Sequence, residues 1–136
     1  MKLTAGYNPK KDGYQMNKRI MIVDDSNFAR MMLKKILVSQ GYEVVGDYCS
    51  GKDAVANYER LSPDLVTMDI VMPDMGGKEA LKEILSLDPE AKVVIVSSLD
   101  VEEAVPGAQD FVLKPFTKER LLQAVERSFT RSNYDA

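Results

Sequence analysis

Arg19-Ile20-Met21-Ile22-Val23-Asp24-Asp25 is a short apolar run that ends on two carboxylates. Leu65-Val66-Thr67-Met68-Asp69 ends on one more, and Phe111-Val112-Leu113-Lys114 ends on an ammonium group. The runs are short, rich in β-branched residues and separated by stretches of helical period, which is the pattern of buried parallel strands alternating with helices. Parallel strands of one sheet all finish on the same edge, so the four charged groups are expected to meet there. Ligand sites of open α/β sheets form on that edge, where the strand order reverses. The prediction is an acidic, metal-competent pocket with one cationic partner.

Working outward, Ser26 or Asn27 caps a helix that places Ala29, Leu33, Ile36 and Leu37 on one face and stops before Gly41. Tyr42 to Asp47 reads as a second strand. Ser50 with Asp53 forms a capping box for a helix that runs to about Arg60 and is stopped by Ser62-Pro63. After Asp69, the loop Met72-Pro73-Asp74-Met75-Gly76-Gly77 leads into a helix with the stripe Ala80, Leu81, Ile84 and Leu85, ended by Asp88-Pro89. Lys92 to Val96 is a fourth strand, running into Ser97 and Ser98. Asp110 to Leu113 is the fifth, followed by a helix capped by Thr117 with Leu121, Leu122, Val125 and Phe129 inward. Right-handed crossovers then make a doubly wound α/β sandwich with a five-stranded parallel sheet. Residues 1–17 are polar and aperiodic and read as a flexible N-terminal extension, 18–130 as the domain and 131–136 as a tail. Met21, Met31, Met32 and Met68 read as core filler.

The chain has 136 residues, 45% hydrophobic and 29% charged, enough for a single core. A net charge of −3 offers no footprint for nucleic acid, and no apolar run approaches a membrane span. A single cysteine, Cys49, leaves no internal disulfide and reads as an inert small side chain. No charged leader with an apolar core precedes the domain, so the expected location is cytoplasmic. The absence of histidine is more informative. It removes His-based zinc sites and Ser-His-Asp or Cys-His catalysis, and any phosphohistidine in the mechanism must belong to another protein. Singly, Asp24 and Asp25 are a solvated strand end or helix cap, Asp69 a turn residue, Lys114 a surface charge and Ser97 a cap. Together at one edge they describe a site.

Four elements in order carry a resemblance: Ile-Val-Asp-Asp-Ser at 22–26, Asp-Leu-Val-Thr-Met-Asp-Ile-Val-Met-Pro-Asp-Met at 64–75, Val-Ser-Ser at 96–98 and Phe-Val-Leu-Lys-Pro-Phe at 111–116. From about residue 18 to 129 the chain resembles a response-regulator receiver domain, of the single-domain chemotaxis (CheY) type. The resemblance implies a flavodoxin-like strand order of 2-1-3-4-5 and a phosphoryl group accepted by Asp69. It implies Mg²⁺ held by Asp25, Asp69 and the backbone carbonyl of Val71, with Asp24 acting through water. Lys114 and Ser97 would contact the phosphoryl group, Phe111 would be the aromatic switch, and the Lys114-Pro115 bond would be cis. The implied partners are a histidine kinase and a downstream target protein, and the chain is a phosphoacceptor that gains and loses its own phosphoryl group rather than a turnover enzyme. These roles meet a physical need. Asp69 is already ionised at neutral pH, but an anionic donor cannot approach an acidic cluster until a divalent cation neutralises it. Mg²⁺ prefers oxygen ligands at about 2.0–2.1 Å and keeps several waters, which suits a few carboxylates.

One departure stands out. Only sixteen residues separate Ser97 from Lys114, short of the family pattern by a turn or more of helix, and Val101 to Val105 is too short for a stable helix before Pro106-Gly107. The fourth helix, between strands four and five, is therefore expected to be shortened or missing, and residues 97–110 to be a mobile loop or one-turn stub. Apolar surface freed on those strands would be covered by a partner or by a second copy, as a homodimer through the 97–113 region. Gly76 also replaces the Asn or Asp common in the family. The alternatives to a stand-alone signalling switch are a phosphorelay intermediate and an interaction module without a phosphorylation cycle. An Mg²⁺-dependent phosphatase or nucleotide-binding sandwich ranks last, because no glycine-rich phosphate loop is present.

Overall fold

Successive side chains of a strand point to opposite faces of a sheet, so a sheet that is apolar at every position must be covered on both sides. That arrangement is found here. The computed structural model describes residues 18–99 and 105–130. Its strands are β1 (Arg19–Val23), β2 (Glu43–Tyr48), β3 (Leu65–Met68), β4 (Val93–Ser97) and β5 (Asp110–Leu113). All pair in parallel in the order β2-β1-β3-β4-β5, the expected 2-1-3-4-5. Four helices lie among the described residues: α1 (Asn27–Ser39), α2 (Gly51–Leu61), α3 (Gly77–Leu87) and α4 (Lys118–Thr130).

Two cores result, one on each face. Met21, Val23, Val66, Met68, Val93 and Ile95 meet Ala54 and Tyr58 of α2 and Ala80, Leu81 and Ile84 of α3. Ile20, Ile22, Leu65, Val94, Val96 and Val112 meet Leu33 and Leu37 of α1 and Leu121, Ala124 and Val125 of α4. Every position of β3 and β4 is buried, so both are central strands, while β2 and β5 form the edges. The helix ends follow local chemistry. The Ser26 hydroxyl accepts from the Ala29 amide at 3.1 Å, the Ser50 hydroxyl from Asp53 at 3.2 Å and the Thr117 hydroxyl from Arg120 at 3.0 Å. Gly41, with φ of +95°, supplies the left-handed turn after α1.

Some expectations need correction. Met21 and Met68 are fully buried, but Met31 and Met32 are 58% and 37% exposed. The helical period decides this, since Leu33 and Leu37 already occupy the inward stripe and the two methionines lie off it. Apolar surface bared on strand four is not found either: β4 is buried throughout, and Val105 and Ala108 pack into the α2/α3 core. The extension at 1–17, the tail at 131–136 and residues 100–104 of the expected stub lie outside the described residues. Residues 105–109 carry no helix, and Gly107 turns the chain with φ of +96°.

Thr67 is an anomaly in this packing. It is 1% exposed on β3, and its hydroxyl has no partner among the described residues. A buried hydroxyl without a hydrogen bond is destabilising, so Thr67→Val should raise the free energy of unfolding by about 1 kcal/mol in denaturant titrations. A lower stability for the valine variant would show that the hydroxyl is satisfied.

Candidate functional site

The site grows from the carboxyl ends of β1, β3 and β5. Asp24 follows β1 and is buried; its amide donates to the Tyr48 carbonyl at 3.0 Å, tying the turn to the end of β2. One carboxylate oxygen accepts from the Ser26 amide at 2.9 Å, and the other accepts from Lys114 Nζ at 2.6 Å. Asp69 follows β3, is 8% exposed and donates its amide to Val23 O at 2.9 Å. Its Oδ1 accepts from the Ile70 amide at 2.7 Å, and its Oδ2 lies 3.6 Å from Lys114 Nζ. Lys114 reaches in from beyond β5, its amide bonded to Ser97 O at 2.8 Å. Asp25 is exposed, yet carboxylate oxygens of Asp24, Asp25 and Asp69 all lie within 4.8 Å of one another. The buried Ser97 hydroxyl accepts from the Leu99 amide at 3.3 Å and lies on the Asp69 side of the pocket, where it favours the ionised Asp69 carboxyl.

The structure thus brings together Asp24, Asp25, Asp69, Lys114 and Ser97 from the ends of four different strands. Val71 follows on the loop after β3 with its side chain exposed. Phe111 lies on β5 with its half-buried ring against the α2/α3 core, and its carbonyl accepts from Arg120 Nη2 at 2.6 Å. The Lys114-Pro115 bond is cis.

Two contributors were not singled out beforehand. Gly77 opens α3 directly beneath Asp69: its amide donates to Ile70 O at 2.8 Å, and a Cβ there would lie 2.0 Å from the Asp69 carbonyl oxygen. Only glycine permits that approach. Arg30 folds back from the first turn of α1 onto the Asp24 carbonyl at 2.6 Å. Helical side chains lean toward the N-terminus, so an arginine one turn past the Ser26 cap was a readable signal.

The chain matches the response regulator receiver domain family over residues 20–126. It is similar to the chemotaxis protein CheY of Thermotoga maritima, at 46% identity over 117 residues covering 82% of this chain and 98% of that protein. It is likewise 47% identical over 118 residues to CheY of Bacillus subtilis, covering 83% and 98%. Among solved structures it is similar to a chain of the CheX-CheY-BeF3-Mg²⁺ complex from Borrelia burgdorferi, with a TM-score of 0.81 and 32% identity over 85% of this chain and 92% of that one. The response regulator domain of Thermotoga maritima CheB gives a TM-score of 0.76 and 37% identity over 85% and 98%.

The electrostatics of the pocket are lopsided. Burial raises the Asp69 carboxyl above the ordinary carboxylate range and the Asp24 charge raises it further, while Lys114, the Ile70 amide and the Ser97 hydroxyl pull it back. A carboxyl whose folded pKa is raised binds its proton more tightly when folded. It therefore favours the folded state below its unfolded pKa, and that advantage is lost as pH rises through the folded value. In metal-free protein Asp69→Asn should accordingly raise the melting temperature at pH 7, and the gain should shrink as pH falls through the carboxylate range. Thermal melts between pH 7 and pH 4 check this; a gain that grows on acidification would contradict it.

Proposed function

This chain belongs to the response regulator receiver family, and we propose that it is a chemotaxis-type switch of two-component signalling that takes a phosphoryl group onto Asp69 from a histidine kinase. One observation carries the reading: the Lys114 ammonium sits between Asp24 and Asp69, with Asp25 completing the acidic cluster. Three carboxylates and one ammonium sum to two negative charges, and the donors are all oxygen, so the residues fit a hard dication such as Mg²⁺. Asp24, Asp25, Asp69 and the Val71 carbonyl would hold it. When bound it supplies screening of the anionic donor's approach and of charge on the phosphoryl oxygens.

The protein's own groups then do the positioning. An Asp69 carboxylate oxygen forms a bond to phosphorus as the bond from phosphorus to the donor's imidazole nitrogen breaks, and the imidazole takes a proton from solvent as it leaves. Lys114 faces the charge that spreads over the phosphoryl oxygens. The Ser97 hydroxyl, which accepts from the Leu99 amide in the resting state, turns to a phosphoryl oxygen. Its displacement makes room for Phe111 to swing inward, altering the surface around β5 and α4 for a downstream target. Attack by water on phosphorus then breaks the bond between phosphorus and the Asp69 oxygen, restoring the carboxylate and releasing inorganic phosphate.

The donor histidine must come from a partner, since this chain has none. A groove of about 790 Å³ borders Lys114, floored by Phe28, Met32, Ile36 and Phe116 and flanked by Lys35 and Lys118. It suits the helix of a kinase phosphotransfer domain with an apolar stripe and acidic flanks. No helix among the described residues is long and apolar enough to cross a membrane. A homodimer through residues 97–113 is a second reading, favoured by β5 being an edge strand with Leu99 and Leu113 45% and 53% exposed. Under that reading, solution sizing gives a dimer that Leu113→Lys separates; a monomer at all concentrations removes it.

Incubation with acetyl phosphate and Mg²⁺, followed by intact mass measurement, should show one added phosphoryl group per chain. The adduct should vanish in Asp69→Asn and under chelation with EDTA. Wild-type protein that binds Mg²⁺ but gains no phosphoryl would point instead to an interaction module without a phosphorylation cycle.

A further inference from the structure

Asp24 and Asp25 face different physical situations. The backbone and carboxylate of Asp24 are held on every side, by Tyr48 O, the Ser26 amide and Lys114. Asp25 is exposed, and among the described residues no hydrogen bond or ion pair holds its carboxylate. The peptide plane that joins it to Asp24 places its backbone and hence the base from which the side chain leaves. The oxygen of that plane is the Asp24 carbonyl, and it accepts from Arg30 Nη1 at 2.6 Å. The same guanidinium donates through Nη2 to Asn27 Oδ1, while its Nε lies 3.4 Å from Asp47 Oδ1 at the end of β2. Arg30 is only 17% exposed.

We propose that Arg30 is a positioning residue: its planar fork fixes the peptide between Asp24 and Asp25 and so keeps the Asp25 carboxylate within the metal-binding cluster. The inference rests on the metal reading of the site. A cation in the first turn of α1 is opposed by the helix dipole, so its place there depends on the acceptors it meets. The half-exposed ion pair with Asp47 contributes little by itself, and the hydrogen bond to the buried turn is the constraint that matters. Lysine cannot reproduce it, because an ammonium lacks the rigid fork that spans the Asp24 carbonyl, Asn27 and Asp47 together.

Charge and geometry predict opposite signs, which makes the test clean. Removing a positive charge near an acidic cluster should tighten Mg²⁺ binding, whereas losing the peptide clamp should weaken it. Titration calorimetry with Mg²⁺ on the full chain would compare wild type, Arg30→Lys, Arg30→Met and Asp47→Asn, with metal-free thermal melts alongside. Both Arg30 variants should bind Mg²⁺ about 10-fold more weakly, the size found when groups that orient a ligand are removed. Asp47→Asn, which keeps an acceptor oxygen, should stay within about twofold of wild type, far less than the loss of an orienting group. Wild-type affinity in Arg30→Lys, or tighter binding in Arg30→Met, would overturn the proposal and leave Arg30 a structural or purely electrostatic group. Wild-type protein that binds no Mg²⁺ would instead remove the metal reading itself, and this proposal with it.

Discussion

The contact between Lys114 and the two buried carboxylates is the constraint on which the site depends. Asp24 and Asp69 are 1% and 8% exposed, and two anions this close and this far from water would repel strongly without a cation. Lys114 supplies it at 2.6 Å from Asp24 and 3.6 Å from Asp69, across 90 residues of sequence from the former. The pairing is asymmetric. Asp24 takes the short bond, while Asp69, whose pKa burial raises, faces the ammonium at the longer distance. A lysine that bonded Asp69 more tightly would stabilise the resting carboxylate and oppose its attack on a donor.

The sheet makes that contact affordable in geometric terms. Strands β1 and β3 are direct neighbours in register from Ile20↔Leu65 to Val23↔Met68, so Asp24 and Asp69 emerge side by side. Strand β5 is separated from β3 by β4, and only a long side chain can span that interval to reach both carboxylates. Ser97 ends the strand between them, which is why its hydroxyl lies on the Asp69 side of the pocket and why its own carbonyl holds the Lys114 amide. The close approach of Gly77 to the Asp69 carbonyl brings the loop after β3 tightly back under the site.

The surface divides between this rigid edge and two places where apolar groups stay in water. One is the groove of α1 and the turn after β5, where Phe28 and Met32 are exposed beside Lys114. The other is the region of Leu99 and Leu113 near the edge strand. Both adjoin Lys114, which faces Asp69, so under the proposed function a partner docked at either is placed to sense the state of Asp69.

Local pattern in the chain was sufficient for the elements and for the identity of the charged groups. Strand ends at Asp24, Asp69 and Lys114, caps at Ser26, Ser50 and Thr117, and the inward stripes of α1 and α3 are all set by residues within a turn or two of one another. Strand order came from resemblance, because periodicity does not say which strands are neighbours. What the sequence could not decide is how unrelated segments share space. Met31 and Met32 are apolar by composition, but whether they are core depends on which helix face the sheet already fills. The clamp of Arg30, the demand for glycine at Gly77 and the raised pKa of Asp69 each arise from atoms brought within a few ångströms by the fold. Near-neighbour chemistry is written along the chain; desolvation and close approach exist only after packing has chosen who stands beside whom.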